Sequence, residues 1–421
     1  MIKTDKFVFQ KAVFNPATSG FEFTYRVVSG GKEYVFTDNL IIPGPEVYAL
    51  WSKVPTQIQK ALLDSLHLML GVQYWSMFVA EKIEINSTEL TAEQANFWKT
   101  VYTKGLGEFF YVNKIDWRGL VKFPSTKETD MDLQPYPRAP RSLLAFGGGK
   151  DSIVAAAMLK EKGEDFSLFS LGAAAVQVEA AEIVGKKLIT PRRKVDPAAS
   201  SLIMAKEVYS GHIPYTAIYT FTGLLIAILF DFSRLVFANE KSADEGNLDY
   251  LGMEVNHQWS KSSEFEVLVK KYIANFVTKD IETSSIIREY SELEITRKFV
   301  DYPQYHHTFS SCNANFASGL KPPRSPYWCG RCAKCAFVFT ALVAYMPKDK
   351  VVSIVGKDMF ADESLLPLFE QLAGVRDFKP FECVGTGEEM RTALSAAATR
   401  NSAENSILLD SLISRFTKYL D

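Results

Sequence analysis

A chain of 421 residues, 47% hydrophobic and 23% charged, has the profile of a soluble globular protein and the length for two or three domains around a sizeable core. Its net charge of -2 offers no broad basic face, which argues against nucleic acid or an anionic membrane as a general partner. Five cysteines, odd in number with four of them clustered late, do not look like a secreted disulfide framework, and Met1-Ile2-Lys3-Thr4-Asp5-Lys6 leads into no apolar signal run; the cytoplasm is the expected compartment.

In chain order, residues 1–123 read as an N-terminal α+β domain. Phe21-Glu22-Phe23-Thr24-Tyr25-Arg26-Val27 alternates as a half-buried strand does, Ser29-Gly30-Gly31-Lys32 is a turn, and Glu33-Tyr34-Val35-Phe36-Thr37 returns, which predicts a hairpin. After Pro45, Ile58, Leu62, Leu63, Leu66 and Leu70 fall at helical spacing. Residues 124–141, with Pro135, Pro137 and Pro140, read as a linker.

Residues 142–347 alternate between strand and helix. Apolar strands are expected at Leu143–Phe146, Leu168–Leu171, Lys187–Thr190 and Arg234–Ala238, which predicts an α/β fold with a doubly wound parallel sheet. Tyr215–Phe230 is apolar but carries Thr216, Thr220, Thr222 and Gly223 and is too short for a membrane span, so it reads as a buried helix. The stretch 281–309 gives no clear pattern. Residues 348–421 read as a mainly helical C-terminal region, with Leu408, Leu409, Leu412, Ile413 and Phe416 on one face.

Two motifs carry chemistry. Gly147-Gly148-Gly149-Lys150-Asp151-Ser152 lies between the first of these strands and a helix, so its backbone N–H groups and the helix N-terminus can converge on a phosphate. Lys150 adds a point charge, Ser152 a hydroxyl, and Asp151 a carboxylate suited to Mg²⁺. The glycine spacing fits neither a dinucleotide fingerprint nor a Walker loop. The acidic run Asn239–Glu245 also follows a strand, and in such sheets both loops are expected to face one crevice at the carboxyl ends of the strands. Separately, Cys312, Cys329, Cys332 and Cys335 have the spacing of a closed Cys₄ site, structural Zn²⁺ being the expected occupant and a [4Fe–4S] cluster the other. Cys383 lies apart and reads as an ordinary cysteine.

The glycine run resembles the PP-loop of the N-type ATP pyrophosphatases, HUP-like proteins whose pattern is strand, Ser-Gly-Gly-x-Asp-Ser, helix; Gly147 stands where that family usually has serine. The resemblance implies that the loop holds ATP and that attack falls on the α-phosphate, giving AMP and pyrophosphate. Ser311-Cys312 followed by Cys329 to Cys335 is similar to the cysteine layout of 7-cyano-7-deazaguanine synthase, which supports zinc. Gly105–Asn113, Asn239–Asn247 and Val255-Asn256-His257-Gln258-Trp259-Ser260-Lys261-Ser262, with the loop and the cysteines, resemble the UDP-N-acetylmuramoyl-L-alanyl-L-glutamate epimerase family of cell-wall synthesis.

That resemblance implies an ATP- and Mg²⁺-dependent enzyme that adenylates the terminal L-glutamate of a UDP-linked muramoyl dipeptide and inverts its Cα. Adenylation removes the carboxylate charge, so the α-proton becomes far more acidic, either directly or through an oxazolone formed by cyclisation onto the acylated nitrogen. Gly147 to Ser152 are then expected to hold ATP, Lys150 and Asp151 to act at the phosphates, and Glu240, with Asp244, to contact metal or carry protons. His257 is the preferred general acid/base, ahead of His306 and His307. Asn256, Lys261, Arg192 and Arg193 are expected at the substrate's carboxylates or diphosphate, with Glu108 and Asn113 as weaker candidates. The alternatives are a PP-loop ligase adenylating a small carboxylic acid, a tRNA-modifying PP-loop enzyme, against which the net charge of -2 counts, and a nucleotide-binding module without catalysis.

Overall fold

A computed structural model of the chain describes residues 4–126, 133–316 and 327–400. The prolines Pro322, Pro323 and Pro326 between Cys312 and Cys329, part of the expected linker and the apolar face at 408–416 lie outside the described residues. The strands are β1 (Thr4–Asn15), β2 (Gly20–Ser29), β3 (Lys32–Ile41), β4 (Lys82–Ile85), β5 (Ser142–Ala145), β6 (Phe166–Phe169), β7 (Leu188–Ile189), β8 (Arg192–Lys194), β9 (Arg234–Phe237), β10 (Leu248–Tyr250), β11 (Met253–Val255) and β12 (Glu282–Ser285).

The first sheet has the order β4-β1-β2-β3-β8. β2 and β3 form the hairpin expected from the sequence, running from Gly20 opposite Ile41 to Ser29 opposite Lys32. Gly30 and Gly31 close it at φ +57° and +74°, which glycine adopts without a Cβ penalty and which matches the twist of the strands. Phe7, Phe9, Phe21, Phe23, Tyr25 and Val27 are fully buried in its core, with the helix Thr56–Leu70 packed against β1 and β2. The edge strand β8 is drawn from the far side of the glycine loop and pairs antiparallel with β3.

The second sheet is parallel throughout, in the order β12-β9-β5-β6-β7. Successive side chains of its strands serve two cores, as the two-residue period of a strand requires. Leu143, Phe169, Leu235 and Phe237 join the cluster that contains the helix Tyr215–Leu229 and the first sheet. Leu144, Leu168 and Val236 join the cluster with the helices Lys150–Glu161, Ala175–Val184, Glu292–Val300 and Ala333–Tyr345. Tyr215–Leu229 is buried as expected, and no described helix is long and apolar enough to cross a membrane. The described C-terminal residues are helical at Lys348–Val355, Leu366–Leu372 and Gly387–Arg400, and this last helix packs on Ala333–Tyr345.

The chain leaves β5 for β6 on one side and later returns to β9 on the other. The loops after β5 and β9 therefore diverge around one opening at the carboxyl ends of the strands. The loop after β12 reaches the same edge.

Candidate functional site

The glycine loop occupies that opening. Gly148 sits at φ +72°, and a Cβ there would stand 3.1 Å from Gln177 Cα. A Cβ on Gly147 would meet nothing within 4 Å, so this part of the loop is open to an approaching group. Gly149 caps the helix Lys150–Glu161 at its N-terminus. The loop is braced from behind: Ser310 N–H donates to Gly148 O at 3.3 Å, and a Cβ on Gly149 would lie 3.0 Å from Ser311 Oγ. Ser152, expected to offer its hydroxyl to a phosphate, donates it instead to Gly149 O at 3.0 Å within the first helical turn.

Beside the loop lies an acidic triad. Oxygen atoms of Asp151, Glu240 and Glu292 all fall within 4.8 Å of one another. Lys150 is 2% exposed and its ammonium is held between Asp151 and Glu292, so it balances carboxylates rather than reaching outward. Burial works against its charge, but these two anions hold its pKa above the ordinary lysine range. Glu240 is 1% exposed, and neither of its carboxylate oxygens has a hydrogen-bond partner. A buried carboxylate left in that state costs several kcal/mol unless a cation meets it. Burial pushes Glu292 up to about 8, with Lys150 opposing and the charges of Asp151 and Glu240 adding to the rise. Three hard oxygen donors at this separation suit a magnesium ion.

Two residues that the sequence reading did not single out build this arrangement. Glu292 opens the helix Glu292–Val300, which Ser291 and Glu294 cap reciprocally, and its N–H donates to Glu389 Oε1 at 2.7 Å. Arg288 donates to Glu240 O at 2.9 Å and Lys261 O at 2.7 Å, tying the two loops together, while Glu266 neutralises it. Lys261 is half-buried; burial disfavours its charge, but Cys383, Glu240, Asp151 and Glu292 together hold it firmly protonated.

On the other side of Lys261 is a second cluster. His257 Nδ1–H donates to the Glu108 carboxylate, and its backbone N–H donates to Asn247 Oδ1 at 2.8 Å. The His212 ring lies 4.2 Å from that of His257, and the Cys383 thiol is near enough to His257 for each to shift the other's titration. Burial alone would lower the imidazole, but Cys383 and Glu108 carry it up to about 9. Burial also opposes ionisation of Cys383, yet the charges of Lys261, Lys334 and His257 bring it down to about 5. His212 is pushed the other way, to about 3, by burial and the neighbouring cation. Cys383 is thus not the ordinary cysteine that its isolation in the sequence suggests.

Several sequence-derived candidates have other commitments. Arg193 turns its shielded side chain into the first sheet, donating to the buried Asp38 Oδ2 at 2.9 and 2.6 Å, so it balances an internal carboxylate rather than meeting a substrate. Arg192 is exposed on the same edge strand. Asn256 spends its amide on the protein, donating to Ala243 O of the loop after β9 at 2.9 Å and accepting from Gln258 N–H at 2.7 Å. Asp244 accepts from Ser263 N–H at 2.6 Å, and Asn113 donates to Phe109 O and Ser210 O. His306 is buried against Phe299, while His307 is exposed. The structure brings together Asp151, Glu240, Lys261, His257 and Glu108.

The four cysteines converge as their spacing predicts. Their sulfur atoms lie within 4.8 Å of one another, with Cys332 and Cys335 at 3.4 Å and Cys329 and Cys335 at 3.7 Å. As thiols they disfavour one another's ionisation: the bond from Cys312 heads the causes that push Cys332 up to about 12 and Cys335 further still. Four sulfurs so placed fit the closed tetrahedron of structural zinc. Ser310, whose N–H meets Gly148, accepts from Cys312 N–H through its hydroxyl at 3.1 Å, so the cluster stands directly behind the glycine loop.

Comparison with known proteins agrees over almost the whole chain. Residues 1–286 match the family profile described as the MurL N-terminal domain, and residues 308–420 match the MurL C-terminal domain. Curated relatives named UDP-N-acetyl-alpha-D-muramoyl-L-alanyl-L-glutamate epimerase include one from Xanthomonas oryzae pv. oryzae, 36% identical over 92% of this chain and 84% of its own. Another, from a Micromonospora species, is 34% identical over 98% of this chain and 91% of its own, and one from Salinispora tropica is 32% identical over 98% and 89%. Among solved structures, a predicted subunit of a tRNA methyltransferase from Methanocaldococcus jannaschii is 18% identical over 38% of this chain and 75% of its own, with a TM-score of only 0.25. With both parts matched and identity sustained nearly end to end, the chain belongs to the MurL family.

Proposed function

We propose that this chain is an ATP-dependent epimerase that adenylates the terminal L-glutamate of UDP-N-acetylmuramoyl-L-alanyl-L-glutamate, inverts its Cα, and releases AMP and pyrophosphate. The names of the curated relatives support the substrate and the inversion. The observation that carries the nucleotide chemistry is the unpartnered, buried carboxylate of Glu240 within an acidic triad beside an open glycine loop at a parallel-sheet switch point. That combination supports a PP-loop, HUP-like domain.

In this reading the loop from Gly147 to Gly149 and the N-terminus of the following helix receive the pyrophosphate part of ATP. Asp151, Glu240 and Glu292 would hold Mg²⁺, which supplies charge neutralisation between phosphate oxygens. Lys150 fixes the triad's geometry, and Lys261, held protonated by Cys383 and the triad, would supply positive charge to the glutamate α-carboxylate and the α-phosphate. Attack by that carboxylate displaces pyrophosphate and gives the mixed anhydride. His257, oriented by Glu108, moves protons at Cα. Zinc on the four cysteines would be structural, holding the wall behind the loop. A cytoplasmic location follows from the use of ATP.

Pyrophosphate release, measured with ATP and Mg²⁺ in the presence and absence of the UDP-linked dipeptide, tests the reading. Release that depends on the dipeptide, with glutamate as the acid product, supports it. An amide product would assign the chain to the ligases instead, and ATP binding without turnover would make it a binding module.

A further inference from the structure

The adenylation just proposed does not use Cys383, yet the fold builds a charged pocket around this thiol. It neighbours His257, which Glu108 holds and whose ring lies against His212. Lys261 and Lys334 face the sulfur with positive charge, and Glu382 is the neighbouring acid. Gln258 Nε2 donates to Val384 O at 3.3 Å, so the cysteine's backbone is tied to the histidine's own loop. The same amide's Oε1 is buried, at 3% exposure for the residue, without a hydrogen-bond partner, an unsatisfied acceptor on the side chain that reaches the backbone next to Cys383. Lys261 interacts with Cys383 on one side and with Asp151, Glu240 and Glu292 on the other. The sulfur and the acidic triad thus act on one shared cation.

We propose that Cys383 is a nucleophile that takes the glutamyl group from the adenylate, so that Cα is inverted as a Cys383 thioester with His257 as the base. The inference rests on the adenylation reading above. The sulfur attacks the adenylate carbonyl; the C–S bond forms, the C–O bond to phosphate breaks, and AMP leaves with that electron pair. The thiolate charge that held the imidazolium proton is then gone. That proton departs with AMP, leaving a neutral imidazole oriented by Glu108. His257 takes the α-proton, and the C–H pair moves into the thioester carbonyl as an enolate. Water returns a proton to the opposite face, and the hydroxide left behind cleaves the thioester, restoring thiolate and imidazolium. The thiol is suited to this part rather than to that of the base. Its depressed pKa makes it a much weaker base than the imidazole, whereas thiolate nucleophilicity falls only with a Brønsted slope of about 0.4–0.5. The same property makes it a good leaving group for hydrolysis.

The test uses the full chain with UDP-N-acetylmuramoyl-L-alanyl-L-glutamate labelled in glutamate, ATP and Mg²⁺, comparing wild type, Cys383→Ser, Cys383→Ala and His257→Gln. Three quantities are read: dipeptide-dependent ATP–pyrophosphate exchange, D-glutamate formation, and label retained on acid-quenched protein. The cysteine variants are expected to keep exchange within about threefold and to lose inversion by more than about a thousandfold. His257→Gln should accumulate label on the Cys383 peptide that neutral hydroxylamine releases. Inversion retained in the cysteine variants would overturn the proposal, as would exchange lost together with inversion, or no label on Cys383 in His257→Gln. No exchange in the wild type would overturn the adenylation reading itself and this inference with it.

Discussion

At the scale of single residues, Glu240 decides most. Its carboxylate is buried without a hydrogen-bond partner and faces the charge of Lys261, so Glu240→Gln removes a poorly compensated charge. Without metal this variant should unfold at a higher temperature than the wild type, by the equivalent of about 1–3 kcal/mol. Its pyrophosphate release should fall by at least about a hundredfold. A metal-free variant no more stable than the wild type would mean that another cation satisfies Glu240. The His257–Cys383 pair gives a pH prediction. His257 is raised, so its stabilising share is full below its free value and lost as pH rises through about 9. Cys383 is lowered, so its share is lost as pH falls through about 5. The stability difference between wild type and Cys383→Ser, followed by urea unfolding, should therefore shrink as pH falls through about 5 and grow towards about 9, where Lys261 and Lys334 still hold the thiolate. A difference independent of pH would contradict the paired charges. Asp151, Glu240, His257 and Lys261 were legible because each follows a strand or sits in a distinctive local run. Glu292 and Cys383 were not, because they reach the site from segments without pattern, far along the chain from the glycine loop and from His257 respectively.

Among the elements, β8 shows where sequence reasoning misleads. Arg192-Arg193-Lys194 has no apolar alternation, so it reads as a basic loop fit for a diphosphate, and only the presence of β3 with Asp38 turns it into a strand. Arg193→Ala leaves Asp38 buried and unpaired, and should cost about 3–5 kcal/mol in chemical denaturation while leaving the KM for the dipeptide unchanged. A raised KM at unchanged stability would return Arg193 to the substrate. Likewise β12, Glu282-Thr283-Ser284-Ser285, is a polar edge strand whose pairing with β9 its own residues do not announce. The β2–β3 hairpin, by contrast, is written in Gly30-Gly31 and the alternation on either side. The cysteine element was legible from spacing, since four thiolates at those gaps can close only around something small. Metal analysis should find one zinc per chain, and Cys332→Ser should lose it and lower Tm by about 5 °C or more. Iron in place of zinc, or an unchanged Tm, would contradict a structural zinc.

At the scale of the whole molecule, the two sheets are bound into one piece. A continuous apolar cluster runs from Phe7 through Trp75, Trp98 and Phe109 to Phe221 and Ile281, so the hairpin half is the floor on which the parallel sheet rests. Glu108 enters the site from that half, His257 from the loop after β11, and Cys383 from the C-terminal part. Sequence periodicity reports which segments are amphipathic, and hence the parallel sheet and its opening; it does not report which segments converge, because convergence is fixed by packing between distant parts. The acidic triad and Cys383 both act on Lys261, an arrangement that suits the proposed activation of a carboxylate next to the carbon to be inverted. The most direct measurement is chiral analysis of the glutamate, with nucleotide products quantified, after the purified chain acts on UDP-N-acetylmuramoyl-L-alanyl-L-glutamate with ATP and Mg²⁺ in D₂O. D-glutamate carrying deuterium at Cα, with AMP and pyrophosphate formed, is the predicted result; glutamate still entirely L, or ADP and orthophosphate as the products, would contradict it.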